Sequence, residues 1–236
     1  MIIAIDGPSG AGKGTVARAV AQRLNYRHVD TGAMYRAVAW KALQEGTDLS
    51  DQDATVEVAR RVKVVVGDGV VLADGHDIVR AIRTPEIDAA AAAVARQPRV
   101  REVLIVQQRE MGRHGGVVME GRDIGTVVFP DADVKVYLDA SPDERARRRA
   151  HDPAHALGKG SNVGEVATAL QARDHSDRTR TVSPLTRADD AVEIDTTDLS
   201  IEQAIEQVLA LVRARATAPP RDGRDPETPP ASTDRQ

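Results

Sequence analysis

Two periods of apolar residues alternate along most of the chain: short runs of β-branched residues, and longer stretches in which apolar residues recur every three or four positions. The first run, Ile2 to Ile5, is nearly continuous and stops at Asp6, the pattern of a parallel strand buried on both faces. Val16, Ala17, Val20, Ala21 and Leu24 follow at helical spacing with Arg18, Gln22 and Arg23 opposite, so a helix from about Thr15 has one face to bury, and Asn25 ends it. Tyr26 to Val29 predicts a second strand and Ala33 to about Leu43 a helix carrying Tyr35 and Arg36 in its first turn. Further strands are predicted at Gly116–Met119, Val134–Leu138 and Ala191–Ile194, and further helices after Ser141-Pro142, over about 163–176 and from Ser200 to about Arg215. Alternation of this kind predicts an α/β fold.

A different texture interrupts it. After a short helix over 53–61, the runs Val62–Val66, Val70–Leu72 and His76–Val79 are separated by Gly67-Asp68-Gly69 and Ala73-Asp74-Gly75, turn chemistry that predicts an antiparallel meander. The meander reads as an insertion, a lobe suited to gripping a substrate. Thr84-Pro85-Glu86 is a helix start, with Thr as cap and Pro at the first position; this alanine-rich helix runs to about Arg96, Gln97-Pro98 breaks it, and another continues to about Arg113. Residues 151–162 lack an apolar period and are expected to form a flexible loop, and from Thr217 onward Pro, Asp, Arg, Thr and Ser predict a disordered tail. Deleting Thr217 to Gln236 is therefore expected to change neither melting temperature nor activity; a loss of several degrees would show that the tail docks on the body.

At 236 residues the chain is long enough for one α/β domain with an insertion, and its net charge of −4 offers no general field for a polyanion. Five aromatics are too few for a base-stacking platform along a nucleic-acid strand, so no nucleic-acid partner is expected. There is no cysteine, the N-terminal apolar run stops too early for a signal peptide, and no stretch approaches the ~20 apolar residues of a membrane span. The expectation is a cytoplasmic protein without a membrane partner, with a monomer as the plainer guess.

Chemistry concentrates where the first strand meets the first helix. Gly7, Gly10 and Gly12 let the backbone turn its N–H groups around an anion, the helix adds the positive end of its dipole, and Lys13 adds a mobile ammonium: Gly7-Pro8-Ser9-Gly10-Ala11-Gly12-Lys13 matches the phosphate-binding loop G-x-x-x-x-G-K. Gly14 stands where the general motif offers magnesium a hydroxyl, and Thr15 comes one residue later. Asp30-Thr31-Gly32 follows the second strand; an aspartic-protease reading would need a second such triplet, and none exists. Arg145, Arg148 and Arg149 fall on one helix face, open either to a phosphate role or to that of a solvated face. A guanine-nucleotide switch would need Asn-Lys-x-Asp, and neither Asn25 nor Asn162 is followed by lysine.

Beyond the loop, Asp30-Thr-Gly-Ala-Met-Tyr-Arg36, Pro98-Arg-Val-Arg-Glu102, Glu120-Gly-Arg-Asp-Ile-Gly-Thr-Val-Val-Phe-Pro130 and Arg173-Asp-His-Ser-Asp-Arg-Thr-Arg180 together resemble the bacterial cytidylate kinases over about residues 1–215. The resemblance implies a P-loop NTPase-type five-stranded parallel sheet flanked by helices, a nucleotide-gripping insertion at about 56–99 holding a small antiparallel sheet, and a lid near 145–162, within a domain of residues 1–216. It implies phosphorylation of CMP, and of dCMP, by ATP with Mg²⁺, in pyrimidine nucleotide metabolism; the alternative is a P-loop kinase for another nucleoside monophosphate or small acceptor. ATP would lie over Gly7, Pro8, Ser9, Gly10, Ala11, Gly12, Lys13, Gly14 and Thr15. CMP would be held by Thr31 and Arg36, by Arg101 and Asp123 at the base, by Arg122 and Arg180 at the phosphate, and by Arg173 and Asp177 at the sugar. Lys13, Arg122 and Arg180 would serve catalysis, with no protein-held metal. Ala92 stands where the family can carry a serine at the base. A carboxylate suits the cytosine amino group, whereas in the plainer reading Asp123 pairs with Arg122 or caps the next helix.

Overall fold

The computed structural model describes residues 1–67, 69–152 and 162–218. Asp68, most of the expected loop at 151–162 and all but the first two residues of the expected tail lie outside the described residues. Five parallel strands form the main sheet in the order β2-β6-β1-β7-β8: β1 (Ile2–Asp6), β2 (Arg27–Asp30), β6 (Val117–Gly121), β7 (Val134–Asp139) and β8 (Val192–Asp195). Central β1, flanked by β6 and β7, is buried from Ile3 to Asp6, which is why its apolar run does not alternate. Helices α1 (Lys13–Leu24) and α8 (Ile201–Thr217) close one face through Val16, Val20, Ile205 and Val208 against Ile3, Ile5 and Leu138. Ser200 caps α8 through the amide of Gln203, whose side chain returns the bond to the Ser200 amide. Asn25 ends α1 in the left-handed conformation.

A second body grows out between β2 and β6. It contains α2 (Thr31–Gln44), α3 (Gln52–Arg61), a three-stranded antiparallel sheet of β3 (Val64–Gly67), β4 (Val70–Ala73) and β5 (His76–Asp77), then α4 (Pro85–Ala95) and α5 (Pro98–Gly112). Its core joins Met34, Val38, Val56, Ile78, Ile82, Ile87, Val94 and Leu104. β5 is only two residues long, against the four expected, because Ile78 leaves the sheet edge to bury itself in this core while its amide bonds Val71 O at 3.0 Å. Thr84 caps α4 as its sequence predicts, at 3.2 Å from the Ile87 amide. Helices α6 (Pro142–Ala150) and α7 (Val163–Thr179) pack on one another through Ala146, Ala150, Val166 and Leu170. α7 runs about a turn beyond its predicted end, which brings Arg173 and Asp177 one turn apart on one helix.

Candidate functional site

A cleft of about 750 Å³ opens at the C-terminal ends of β1, β2 and β6, bounded by α2, α4, α6 and α7. Open α/β sheets bind ligands at this end. Of the nine loop residues expected to serve a nucleotide, Ser9 to Thr15 line the cleft. Gly7 and Pro8 lie behind it and shape the loop. A Cβ on Gly7, whose φ is +145°, would sit 1.9 Å from the carbonyl oxygen of Leu138, so no other residue fits there. Pro8 offers its carbonyl to Lys13 Nζ at 2.6 Å. Burial, and then the nearby charge of Arg122, push the Lys13 ammonium down to about 7, against the pull of Glu120, Asp6 and Asp174. A lysine so placed gains from any anion that enters beside it.

The loop is pinned from below by side chains that the sequence did not mark as a unit. The Ser9 amide donates to Asp174 Oδ1 at 3.2 Å, and the Ser9 carbonyl accepts from Arg145 Nη1 at 3.1 Å. Arg145 and Asp174, both buried, pair with each other, and Arg145 Nε also bonds Ala140 O at 3.0 Å. The far end of the loop lies against Thr196, whose hydroxyl proton is shared between Asp139 O at 2.9 Å and Ala11 O at 3.2 Å and whose oxygen accepts from Arg148 at 2.9 Å. The arginine face of α6 therefore splits: Arg145 supports the loop, Arg148 reaches Thr196, and Arg149 turns toward α4, where it meets Asp88 at 2.8 Å. Only Arg148 and Arg149 of these three line the cleft.

Behind the loop, Asp6 accepts from the amides of Ile124 and Gly125 at 2.9 and 2.7 Å, fixing a single wide helical turn, Ile124–Val128, that no periodicity foretold. Burial pushes the Asp6 carboxyl up to about 6, with the two amides and Lys13 working against it and Asp123 adding to it. Glu120, at the end of β6, is held by His28 Nε2 at 2.9 Å and lies against the loop: a Cβ on Gly14 would come within 3.3 Å of its carboxylate. The loop's departure from the general motif thus has a local cause, since a side chain after Lys13 would press on Glu120.

The acceptor residues expected from the sequence all line the same cleft. Asp30 caps α2 at 3.0 Å from the Ala33 amide, so α2 begins at Thr31 rather than Ala33, and Arg36 returns to Asp30 at 3.1 Å. The Thr31 hydroxyl donates to Glu120 O at 2.7 Å. Arg101, from α5, is 1% exposed, stacks over the Tyr35 ring at 5.2 Å and donates to Asp123 at 2.5 Å. Arg180 faces the other oxygen of Asp123 at 3.6 Å and is fixed by the Ser183 carbonyl at 2.5 Å. Asp123 therefore neither caps the following turn nor pairs with Arg122, and the plainer sequence-based reading of that residue is wrong. Arg122 bonds Asp177 instead, at 2.9 Å. Burial raises the Asp177 carboxyl, yet Arg122, Arg173 and Arg180 together hold it below the ordinary range. Burial followed by Arg122 lowers Arg173, and burial followed by Arg101 lowers Arg180, the mark of cations crowded into one cleft. α4 presents Ala91, Ala92 and Ala95 as an apolar wall. Among the residues the sequence did not mark, Arg83, just before α4, lines the cleft, and Asp88, a first-turn acid of an alanine helix, pairs with two arginines that line it.

Among the described residues there is no group of three or more His, Asp or Glu able to hold a metal ion, and no helix is long and apolar enough to cross a membrane. The family model for cytidylate kinase matches residues 3–214. A curated cytidylate kinase of Solibacter usitatus is 46% identical over 231 residues, covering 95% of this chain and 96% of that protein. The cytidylate kinase of Desulfitobacterium hafniense is 47% identical over 212 residues, with 89% and 91% covered. Among solved structures, an uncharacterized protein from Eubacterium ventriosum superposes with a TM-score of 0.50 at 12% identity over 91% of this chain and 99% of that one, a likeness of fold.

Proposed function

The chain belongs to the cytidylate kinase family, and from that premise we propose that its cleft transfers the γ-phosphoryl group of ATP to CMP, and also to dCMP, giving ADP and the nucleoside diphosphate. One observation carries the assignment of parts: a single cleft is lined both by the phosphate loop with Lys13 and by the buried Arg101–Asp123–Arg180 group. In this transfer an oxygen of the CMP phosphate attacks the γ-phosphorus, the bond to the bridging oxygen breaks, and the electron pair leaves with ADP. The attacking oxygen is already anionic, so no general base is required; what the chain must provide is position and positive charge.

In this reading the amides from Ser9 to Thr15 and the N-terminus of α1 hold the ATP phosphates, and Lys13 follows the charge of the moving group. Arg122 and Arg180, with Arg36 and Thr31, receive the CMP phosphate, and Arg173 and Asp177 the sugar. The base lies against the wall of Ala91, Ala92 and Ala95, which offers it no side-chain hydrogen bond, so recognition falls to Asp123 and Arg101. Asp123 keeps acceptor capacity beside its two arginines, because an ionised carboxylate has about four lone-pair sites. Mg²⁺ would arrive on the ATP phosphates and neutralise the developing charge; Glu120, oriented by His28 and lying against Gly14, would be the carboxylate to complement it.

The test is ADP release in a coupled assay across CMP, dCMP, UMP, AMP, GMP and shikimate. CMP is expected to give the highest kcat/KM. Faster turnover of any other acceptor class would show that the base pocket has been assigned to the wrong ligand.

A further inference from the structure

Asp88 has no part in the scheme above, yet it pairs with two arginines that line the cleft. It lies on α4, in the second body, and its two carboxylate oxygens reach across to Arg149 of α6 at 2.8 Å and to Arg173 of α7 at 3.2 Å. The three side chains are only 14–21% exposed, so the pairs are shielded from solvent and from salt. The apolar clusters on the two sides are separate among the described residues. Ile87, Ala90, Ala91 and Val94 of α4 face α2 and α5, whereas Ala146, Ala150, Val166 and Leu170 hold α6 to α7. The contact across the gap is polar, made by Asp88 and by Arg96, which donates to Ser176 at 3.1 Å. Arg149 and Arg173 are also crowded by Arg36, which makes an anion between them valuable whatever its source.

We propose that Asp88 is a positioning residue that ties the α4 side of the cleft to α6 and α7 and competes with the nucleotide for both arginines, with a phosphate group for Arg149 and with the CMP sugar for Arg173. A carboxylate can serve two guanidinium groups at once, and a phosphate, with more charge and three oxygens, is the ligand those planar forks match best. Entry of the nucleotide would then replace the Asp88 bridge with a phosphate at Arg149 and the sugar at Arg173, and the closed arrangement would pass from Asp88 to the substrate. Only the identity of the competitor rests on the function proposed above; the tie itself does not.

The chain has no cysteine, so two labels can be placed uniquely at His76→Cys, on the small sheet, and Ala169→Cys, on α7. Inter-label distances in the nucleotide-free protein are expected to be short and narrow, and Asp88→Asn is expected to raise the fraction of open molecules by about tenfold, as loss of a charge-assisted bond would. Asp88→Glu, which keeps the charge, should stay close to the parent. Equilibrium binding of CMP without ATP is expected to tighten several-fold in Asp88→Asn, a gain that a merely structural role would not produce. An unchanged distance distribution overturns the tie, and CMP affinity that is unchanged or weaker overturns the competition. If Asp88→Asn does not fold, Arg149→Gln cuts the same tie from the other side and must widen the distribution. Failure of CMP to bind the parent protein would instead refute the proposed substrate while the distances still decide the tie.

Discussion

Lys13→Met is expected to lower kcat by about 10²–10³ or more while CMP binds within a few-fold of the parent, because charges at a transferring phosphoryl group act in the transition state and the residues assigned to CMP lie on other segments. Turnover and CMP affinity measured on one preparation would decide it, and near-normal turnover would remove this loop from the chemistry. The lysine's environment adds a sign that is easy to check. Its ammonium is pushed from the ordinary 10.5 down to about 7 by burial and Arg122, so between those two values the unfolded chain binds a proton that the folded protein sheds. The stability this group contributes therefore rises with pH across that window, and below it the fold carries a costly buried charge. Methionine has no such charge, so Lys13→Met is expected to melt no lower than the parent at pH 6. ATP should bind to the parent at pH 8 with uptake of a proton, because its phosphates favour the ammonium; Lys13→Met should lose that uptake in calorimetry run in two buffers.

Arg145→Leu is expected to destabilise the protein by about 3–5 kcal/mol, since it leaves Asp174 buried without its partner. For a domain of this size that corresponds to a fall of about 6–20 °C in melting temperature. Arg145→Leu combined with Asp174→Leu should recover much of the loss, because two apolar side chains in place of a buried ion pair often cost little. Activity should not return with stability. The double variant lacks both tethers on Ser9, which hold its carbonyl and its amide, so the loop is no longer fixed for transfer. A double variant that is stable and fully active would show that the pair serves only the fold.

What could be read from the sequence was what local chemistry dictates. The glycine loop, the Thr84 cap, the helix start at Ser141-Pro142, the Asn25 stop and the Asp74-Gly75 turn each depend on a few adjacent residues, and each is in place. The acceptor residues were reachable through whole motifs, and the cleft gathers Thr31, Arg36, Arg101, Arg122, Asp123, Arg173, Asp177 and Arg180. Pairings between distant segments could not be read. Asp6 builds the turn at Ile124 from 118 positions away, Arg145 meets Asp174 across 29, and Asp88 meets Arg173 across 85. Periodicity carries no information about such partners. It also misjudged β5, because Ile78 looked like the continuation of a strand and is instead a core residue one step beyond its end.

In the function proposed above, specificity for cytosine rests on Asp123. Cytosine presents an amino donor where uracil presents a carbonyl oxygen, and a carboxylate can only accept. Facing uracil, Asp123 and that oxygen would both be left unpaired in a closed cleft, at a cost of about 1–3 kcal/mol. Asparagine keeps the shape and can donate, although it weakens the pairs with Arg101 and Arg180 and will lower activity toward both nucleotides. The ratio is therefore the informative quantity. Steady-state kcat/KM for CMP and for UMP should be measured in parent and Asp123→Asn: the ratio is expected to fall by about tenfold or more in the variant, as ~1.4 kcal/mol would give. Equal losses for the two nucleotides, with the ratio unchanged, would contradict base reading by Asp123 and move recognition to Arg101 and the wall around Ala92.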